Sequence, residues 1–153
     1  MLKLAENIIQ FLGKQGFVIV STVDKTGGIN NACKGIVKID RKGKIYILDL
    51  YMGRTLANLK ANKNISITAI NEHRFHGYCL KGKAKIVKKE NLSLEILKAW
   101  ENKLTIRITQ RILKNMQGEK GHARHPESLL PKPTYMILME VNEIVDLTPG
   151  HLK

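Results

Sequence analysis

Residues 49–67 have the sequence DLYMGRTLANLKANKNISI, and the rest of the chain is arranged around this stretch. It predicts the end of a strand, a tight turn at Gly53, a short helix over residues 55–60 and a further strand. The start of a helix leaves backbone N–H groups unpaired, and the aligned peptide dipoles make that end partly positive. Arg54 adds a guanidinium that suits phosphate oxygens, and Thr55 adds a hydroxyl. The stretch therefore predicts a phosphate-binding site, with a capped surface helix and a solvated arginine as the alternative.

Composition indicates one globular domain over residues 1–153, because 43% of the residues are hydrophobic and 25% are charged. The N-terminus lacks the pattern of a signal peptide, and no run approaches the roughly 20 apolar residues of a membrane span. We therefore expect a cytoplasmic protein without a membrane partner. The two cysteines, Cys33 and Cys79, lack metal-ligand spacing and are expected to be free thiols in a reducing cytosol.

The formal net charge of +13 predicts a surface that attracts anionic ligands. Clustered cations bind nucleic acids by releasing counterions, but here the lysines are spread along the whole chain. Aromatic residues make up only 5% of the sequence, so no stacking platform for single strands is evident. A basic nucleic-acid-binding barrel is kept as an alternative.

The order of predicted elements indicates a mainly β fold with a few helices. Short runs rich in β-formers and separated by glycine-bearing turns predict an antiparallel barrel, which removes exposed strand edges. A four-residue apolar period predicts one long helix over residues 91–117, or two that break near residues 103–105. Gly82, inside the fifth predicted strand, indicates a bulge or the close approach of another group. The predicted strands span residues 17–23, 29–39, 44–50, 64–70, 75–87 and 135–141, and a first helix spans residues 2–12.

Four histidines are candidate metal ligands. His73 and His76 are three residues apart, as are His122 and His125, but neither pair has a supporting acidic or cysteine pattern. No metal site is predicted. The loop over residues 118–133, rich in glycine and proline, is interpreted as a lid over a binding site.

Four features carry a resemblance to a known family. The chain resembles the flavin-binding split β-barrel proteins related to pyridoxamine 5′-phosphate oxidase over residues 4–87, with a weaker similarity over residues 135–152. The features are an opening strand and turn at 17–28, the run Asn30-Asn31-Ala32-Cys33-Lys34, the motif Met52-Gly53-Arg54-Thr55-Leu56-Ala57-Asn58-Leu59, and the pair Lys81-Gly82. The resemblance implies an antiparallel split β-barrel with a helical insert before the last strand.

The resemblance also implies a cofactor site. It implies a homodimer with two FMN molecules at the subunit interface, where Arg54 and Thr55 hold the FMN phosphate. A run on the second strand would lie along the flavin, largely through its backbone, and Asp49 would lie beside the ring system. The implied cofactor-binding residues are Asn31, Ala32, Cys33, Lys34, Asp49, Met52, Gly53, Arg54, Thr55, Asn58, Lys81 and Gly82.

The implied activity is that of an FMN-dependent oxidoreductase that passes hydride or electrons to a small-molecule acceptor. The C-terminal motif that grips pyridoxamine phosphate has no convincing counterpart here, so another substrate is expected. No catalytic side chain is assigned. The alternatives are an electron carrier or flavin store without a substrate of its own, the basic nucleic-acid-binding barrel, and a deazaflavin in place of FMN.

Overall fold

The computed structural model describes residues 2–122 and 126–153, and within these ranges three α-helices and seven β-strands form. The helices are α1 (Glu6–Gly13), α2 (Arg54–Ala61) and α3 (Leu94–Met116). The strands are β1 (Val18–Val23), β2 (Ile29–Lys34), β3 (Ile36–Ile39), β4 (Lys44–Asp49), β5 (Asn64–Asn71), β6 (His76–Lys88) and β7 (Tyr135–Asp146). The predicted order of strand, short helix and strand around Gly53 is confirmed.

All strands belong to one antiparallel sheet that curls into a half-barrel, as the split-barrel prediction required. Its strand order is β2-β1-β5-β6-β7-β4-β3. The prediction of one strand over residues 29–39 is wrong, because the chain divides at Gly35. The segment before Gly35 pairs with β1 and the segment after it pairs with β4, at the opposite end of the sheet. Gly35 therefore joins the two ends of the curled sheet.

Alternating apolar residues fill the half-barrel. In β1, Val18 and Val20 point into the core, while the intervening residues are half-buried. Helix α1 covers one end of the core with Ile8 and Leu12. These two side chains lie four residues apart on one face of the helix, which is the face that packs against the sheet.

Helix α3 packs on the outside of the sheet, where Ile96 joins a second apolar cluster with Val37, Leu48 and Met136. The helix is continuous through residues 103–105, so the alternative of two helices that break there is wrong. The apolar stripe of the helix becomes less buried toward the C-terminus. Ile96 is 6% exposed, whereas Ile112 is 45% exposed. The first half of α3 is thus covered by its own chain and the second half is largely open.

Strand β7 is longer than predicted, since it extends from Tyr135 to Asp146 rather than ending at Val141. Its second half is polar on one face, but it pairs with β6 along its whole length. The pairing shifts register between Lys81 and Gly82, which confirms the irregularity that a glycine within this strand predicted. Long pairing with a neighbour thus overrides the weaker hydrophobic pattern of the second half.

A carboxylate–arginine pair joins α3 to the 3-10 turn at Pro126–Leu129. Arg111 donates to Glu127 through Nε and Nη2 at 3.1 and 2.6 Å, and Arg107 lies 3.8 Å from the same carboxylate. The Glu127 side chain is almost fully buried. The hydrogen bonds from Arg111 lower the pKa of Glu127 below its ordinary value of 4.5.

We expect Glu127→Gln to lower the free energy of unfolding at pH 7 by about 1–3 kcal/mol, because two charge-assisted hydrogen bonds are weakened. A carboxyl whose pKa is lowered by folding stabilises the fold above its ordinary pKa, here 4.5, and that contribution is lost as the pH falls through the folded value. Urea unfolding at pH 7 and pH 3 should therefore show a smaller pH dependence in Glu127→Gln than in the wild type. Glu119→Gln, in a surface pair with Lys114 at 3.9 Å, is the control and should change little. Equal loss in both variants would contradict the prediction.

The histidines have structural surroundings of different kinds. The ring of His76 packs edge-on against Phe11 and Tyr78, with centroid distances of 4.8 and 4.9 Å. Its partner in the earlier pair, His73, is exposed in the 3-10 turn before β6. His125 lies outside the described residues, as does part of the loop that was interpreted as a lid. No helix of the described ranges is long and apolar enough to cross a membrane.

Candidate functional site

A cavity of about 280 Å³ opens where β2, the end of β4 and the start of α2 meet. It brings together residues of β2, β4 and α2 that are far apart in sequence. Its lining residues are Asn30, Asn31, Ala32, Lys34, Asp49, Tyr51, Gly53, Arg54 and Thr55.

The start of α2 forms one end of this cavity. Gly53 is the N-terminal flanking residue, and the first helical bond runs from the Ala57 N–H to its carbonyl at 3.2 Å. Among the described side chains, none caps this helix start. The N–H groups of its first turn therefore lie beside Arg54 and Thr55 without an intrahelical acceptor. This is the arrangement that favours an anion.

Gly53 contributes open space rather than an unusual backbone conformation. Its φ is −100°, which other residues also adopt, so the expected need for glycine in a tight turn is not observed. A Cβ at this position would have no atom within 4 Å. The absent side chain leaves the helix start accessible from the cavity.

Strand β2 forms the floor of the cavity and lies at one end of the sheet. It pairs with β1 on one side, so half of its backbone N–H and C=O groups face away from its neighbour. The Ser21 hydroxyl of β1 donates a hydrogen bond to Asn31 Oδ1 at 2.6 Å and thereby orients the Asn31 side chain. The exposed edge offers donors and acceptors in a row to a flat polar ligand.

A largely buried polar network adjoins the cavity at Lys34 and Asp49. The ammonium of Lys34 donates to Asp49 Oδ2 at 2.8 Å, and the Tyr135 hydroxyl donates to the same oxygen. The Leu50 N–H donates to Oδ1 at 2.9 Å. The backbone carbonyl of Asp49 accepts from the Thr134 N–H at 2.9 Å. The ion pair joins β2 to β4, two strands that are not paired in the sheet.

Burial, the hydrogen bond to Asp49 and the charge of that carboxylate together raise the pKa of the Tyr135 hydroxyl. The hydroxyl therefore keeps its proton throughout the physiological pH range and acts as a donor to Asp49. The lining contains two cations, Lys34 and Arg54. Lys34 forms an ion pair with Asp49, whereas Arg54 forms no ion pair with a carboxylate of the described residues.

The remaining predicted residues lie outside the cavity lining. Met52 and Cys33 are exposed beside it. Asn58 is buried and donates to the Thr22 hydroxyl at 3.0 Å. On β6, the ammonium of Lys81 pairs with Glu143 at 3.0 Å, and the neighbouring glycine, Gly82, faces the backbone of β7. Their roles in cofactor binding stay predictions.

Three residues of this region were not predicted. Asn30 and Tyr51 line the cavity, and both stand next to predicted residues in the sequence. Tyr135 lies behind Asp49 and is 86 positions away from it. Only the pairing of β7 with β4, which places Asp49 opposite Tyr135, brings the two together.

A second cavity of about 260 Å³ lies beside α3 and is lined in part by Arg107, Arg111, Lys114 and Glu127. The two arginines are already engaged with the buried Glu127 carboxylate. Its lining also includes Lys120, and its four cations outnumber the carboxylates of Glu119 and Glu127, so this cavity is basic as well.

The curled antiparallel sheet, with a cavity between the edge of β2 and the start of α2, defines a split-barrel protein. The family model described as pyridoxamine 5′-phosphate oxidase matches residues 4–129. The chain therefore belongs to the pyridoxamine 5′-phosphate oxidase family, as its resemblance predicted. No curated protein matches the chain.

Solved structures with the same fold differ in what their names describe. HupZ of Group A Streptococcus has a TM-score of 0.64 at 21% identity, with 96% of each chain covered. HutZ of Vibrio cholerae, described as a heme storage protein, has a TM-score of 0.54 at 17% identity, with 94% of each chain covered. A protein described as F420 reductase has a TM-score of 0.57 at 12% identity, with 93% of this chain and 98% of that chain covered. At these identities the similarity shows the fold alone.

Proposed function

We propose that this protein is an FMN-binding oxidoreductase that transfers hydride or electrons to a small-molecule acceptor. The observation that carries the proposal is the cavity in which Arg54 and Thr55, at an uncapped helix start, adjoin the exposed edge of β2. One end of this cavity suits a phosphate and the other suits a flat ring with polar edges. FMN has both parts.

The phosphate end fits by charge and by donor type. Arg54 offers a fork of N–H donors, Thr55 a hydroxyl, and the first turn of α2 its backbone N–H groups. The acidic side chain of the lining, Asp49, forms an ion pair with Lys34 and accepts a hydrogen bond from the neutral Tyr135 hydroxyl. A doubly charged phosphate therefore meets no unpaired carboxylate among the described lining residues.

The ring end fits by shape and by the polarity of the backbone. The edge of β2 presents N–H and C=O groups, and Asn30 and Asn31 add side-chain amides near them. FMN, when bound, supplies the hydride or electron chemistry, while the protein binds and orients it. Lys34 and Asp49 would hold fixed charges beside the ring, and β2 would set its orientation.

The same cavity supports a homodimer with the cofactor at its interface. β2 is an open strand edge, and Ile29 at its start is 76% exposed. The C-terminal half of α3 also exposes apolar side chains, among them Ile106, Leu113 and Met116. A second copy would cover these surfaces and enclose the open side of the cavity.

Absorption of the purified protein tests the proposal. We expect the absorption bands of oxidised flavin, and release of FMN into the supernatant on denaturation. Protein purified without cofactor should recover one FMN per chain and elute as a dimer. A protein that is colourless after it has been mixed with FMN and separated from the unbound FMN would overturn the proposal.

Four alternatives give different results in binding experiments with the purified protein. A deazaflavin, for which the F420 reductase of the same fold is a precedent, should bind where FMN fails. A flavin carrier should bind FMN but show no saturation with any acceptor. A nucleic-acid-binding barrel should bind nucleic acid with an affinity that falls steeply with salt. Hemin in a parallel titration tests the storage role named for HutZ.

A further inference from the structure

A buried tyrosine supports the candidate site from behind. The Tyr135 side chain is 3% exposed and lies outside the cavity lining, yet its hydroxyl donates to the Asp49 carboxylate that the cavity contacts. Asp49 also accepts from the Leu50 N–H and from Lys34. Each carboxylate oxygen thus has a donor, and the position of the carboxylate is fixed.

The fixed carboxylate in turn restrains Lys34. The Lys34 side chain is 12% exposed, and its ammonium lies 2.8 Å from Asp49 Oδ2. An ammonium has three N–H donors, so two remain after the bond to Asp49. Because Lys34 lines the cavity, these donors are available to a ligand there. An unrestrained lysine on an edge strand would instead extend into solvent.

We propose that Tyr135 and Asp49 are positioning residues that hold the Lys34 ammonium as a hydrogen-bond donor to the negative charge of a reduced flavin ring. The inference rests on the proposed function, since it requires a flavin in this cavity. A flavin ring that takes up two electrons from a reductant and one proton from solvent carries one negative charge at its pyrimidine end. Hydrogen bonds and charges near the ring nitrogens set how strongly a protein favours this form.

The charges of the network determine the direction of each effect. Lys34→Met removes the donor and leaves the Asp49 carboxylate without its cation, so the site should disfavour a negative ring. Tyr135→Phe changes no charge, but it frees Asp49 and therefore Lys34 to move. A shift in Tyr135→Phe reports the positioning of the ammonium rather than the net charge of the site.

The experiment measures the two-electron midpoint potential of bound FMN during dithionite titration with a reference dye. We expect Lys34→Met to reduce the preference for reduced over oxidised FMN about tenfold, which lowers the potential by about 30 mV for a two-electron couple. Tyr135→Phe should reduce this preference about threefold, or by about 15 mV. Tyr46→Phe is the matched control, because its half-buried ring lies on β4 in the second apolar cluster and should leave the potential unchanged.

The outcomes separate this inference from the function on which it rests. A wild-type protein that binds no FMN overturns both. FMN bound with an unchanged potential in either Tyr135→Phe or Lys34→Met overturns the inference and leaves the proposed function standing. An equal shift in Tyr46→Phe would also overturn it, since a general loss of packing would then explain the change. If Tyr135→Phe does not fold, Lys34→Met still tests whether the ammonium acts on the ring, and an unchanged potential in that variant overturns the inference.

Discussion

Replacing Arg54 with methionine is expected to weaken FMN binding by about 10- to 150-fold, the effect of losing a hydrogen bond to a charged group. Arg54 is the lining cation without a described acidic partner, and it stands in the first turn of α2. Methionine keeps much of the length of the side chain and removes the guanidinium. The loss should be larger at low salt, because the interaction is between charges. Isothermal titration of cofactor-free protein with FMN measures it.

The control for this substitution is Arg41→Met. Arg41 precedes β4, at the opposite end of that strand from Asp49, and its largely exposed side chain pairs with Glu6 at 2.9 Å. It has the same change in charge but lies away from the cavity. Riboflavin, which lacks the phosphate, adds a second control, since Arg54→Met should weaken FMN binding and leave riboflavin binding nearly unchanged. Equal losses for both ligands would remove Arg54 from the phosphate site.

The local parts of the fold and site could be predicted because their signals are local. The turn and helix start at Gly53-Arg54-Thr55 are set by neighbours in sequence, and the structure places them beside a cavity. The apolar period of α3 likewise predicted a helix of nearly correct length. In each case, one short segment contains the information that determines its structure.

The parts that were missed depend on pairings between distant segments. Gly35 within residues 29–39 is a local signal of an irregularity, but it does not show that the strand ends there, since the break follows from pairing with β1 on one side and β4 on the other. Tyr135 gained its place behind Asp49 in the same way, through the register of β4 and β7. The hydrogen bond from Asn58 to the buried Thr22 hydroxyl also joins distant segments, and the role of Asn58 in cofactor binding stays a prediction. Sequence patterns identify such residues but not their partners.

A glycine within β6 predicted an irregularity at Gly82, and the pairing of β6 with β7 explains it. This residue gives the second prediction with a large expected effect. A Cβ at this position would lie 2.0 Å from the Glu140 carbonyl oxygen and 2.9 Å from its carbon. Both distances are below the 3.0 Å that real Cβ contacts respect, and the obstructing atoms belong to backbone. The register of β6 and β7 shifts at this residue, so the close approach is part of the strand pairing. The two strands cannot separate locally without breaking hydrogen bonds on both sides.

We therefore expect Gly82→Ala to lower the free energy of unfolding by about 3 kcal/mol, the upper part of the usual range for overpacking. Gly13→Ala is the control, since a Cβ there meets no atom within 4 Å and alanine favours the end of α1, so stability should stay equal or rise slightly. Urea unfolding of the two variants and the wild type measures the difference. FMN titration of folded Gly82→Ala then separates the two roles considered for this residue. A stable variant with weakened FMN binding would assign Gly82 to the cofactor, whereas an unstable variant with unchanged FMN affinity would assign it to the pairing of β6 with β7.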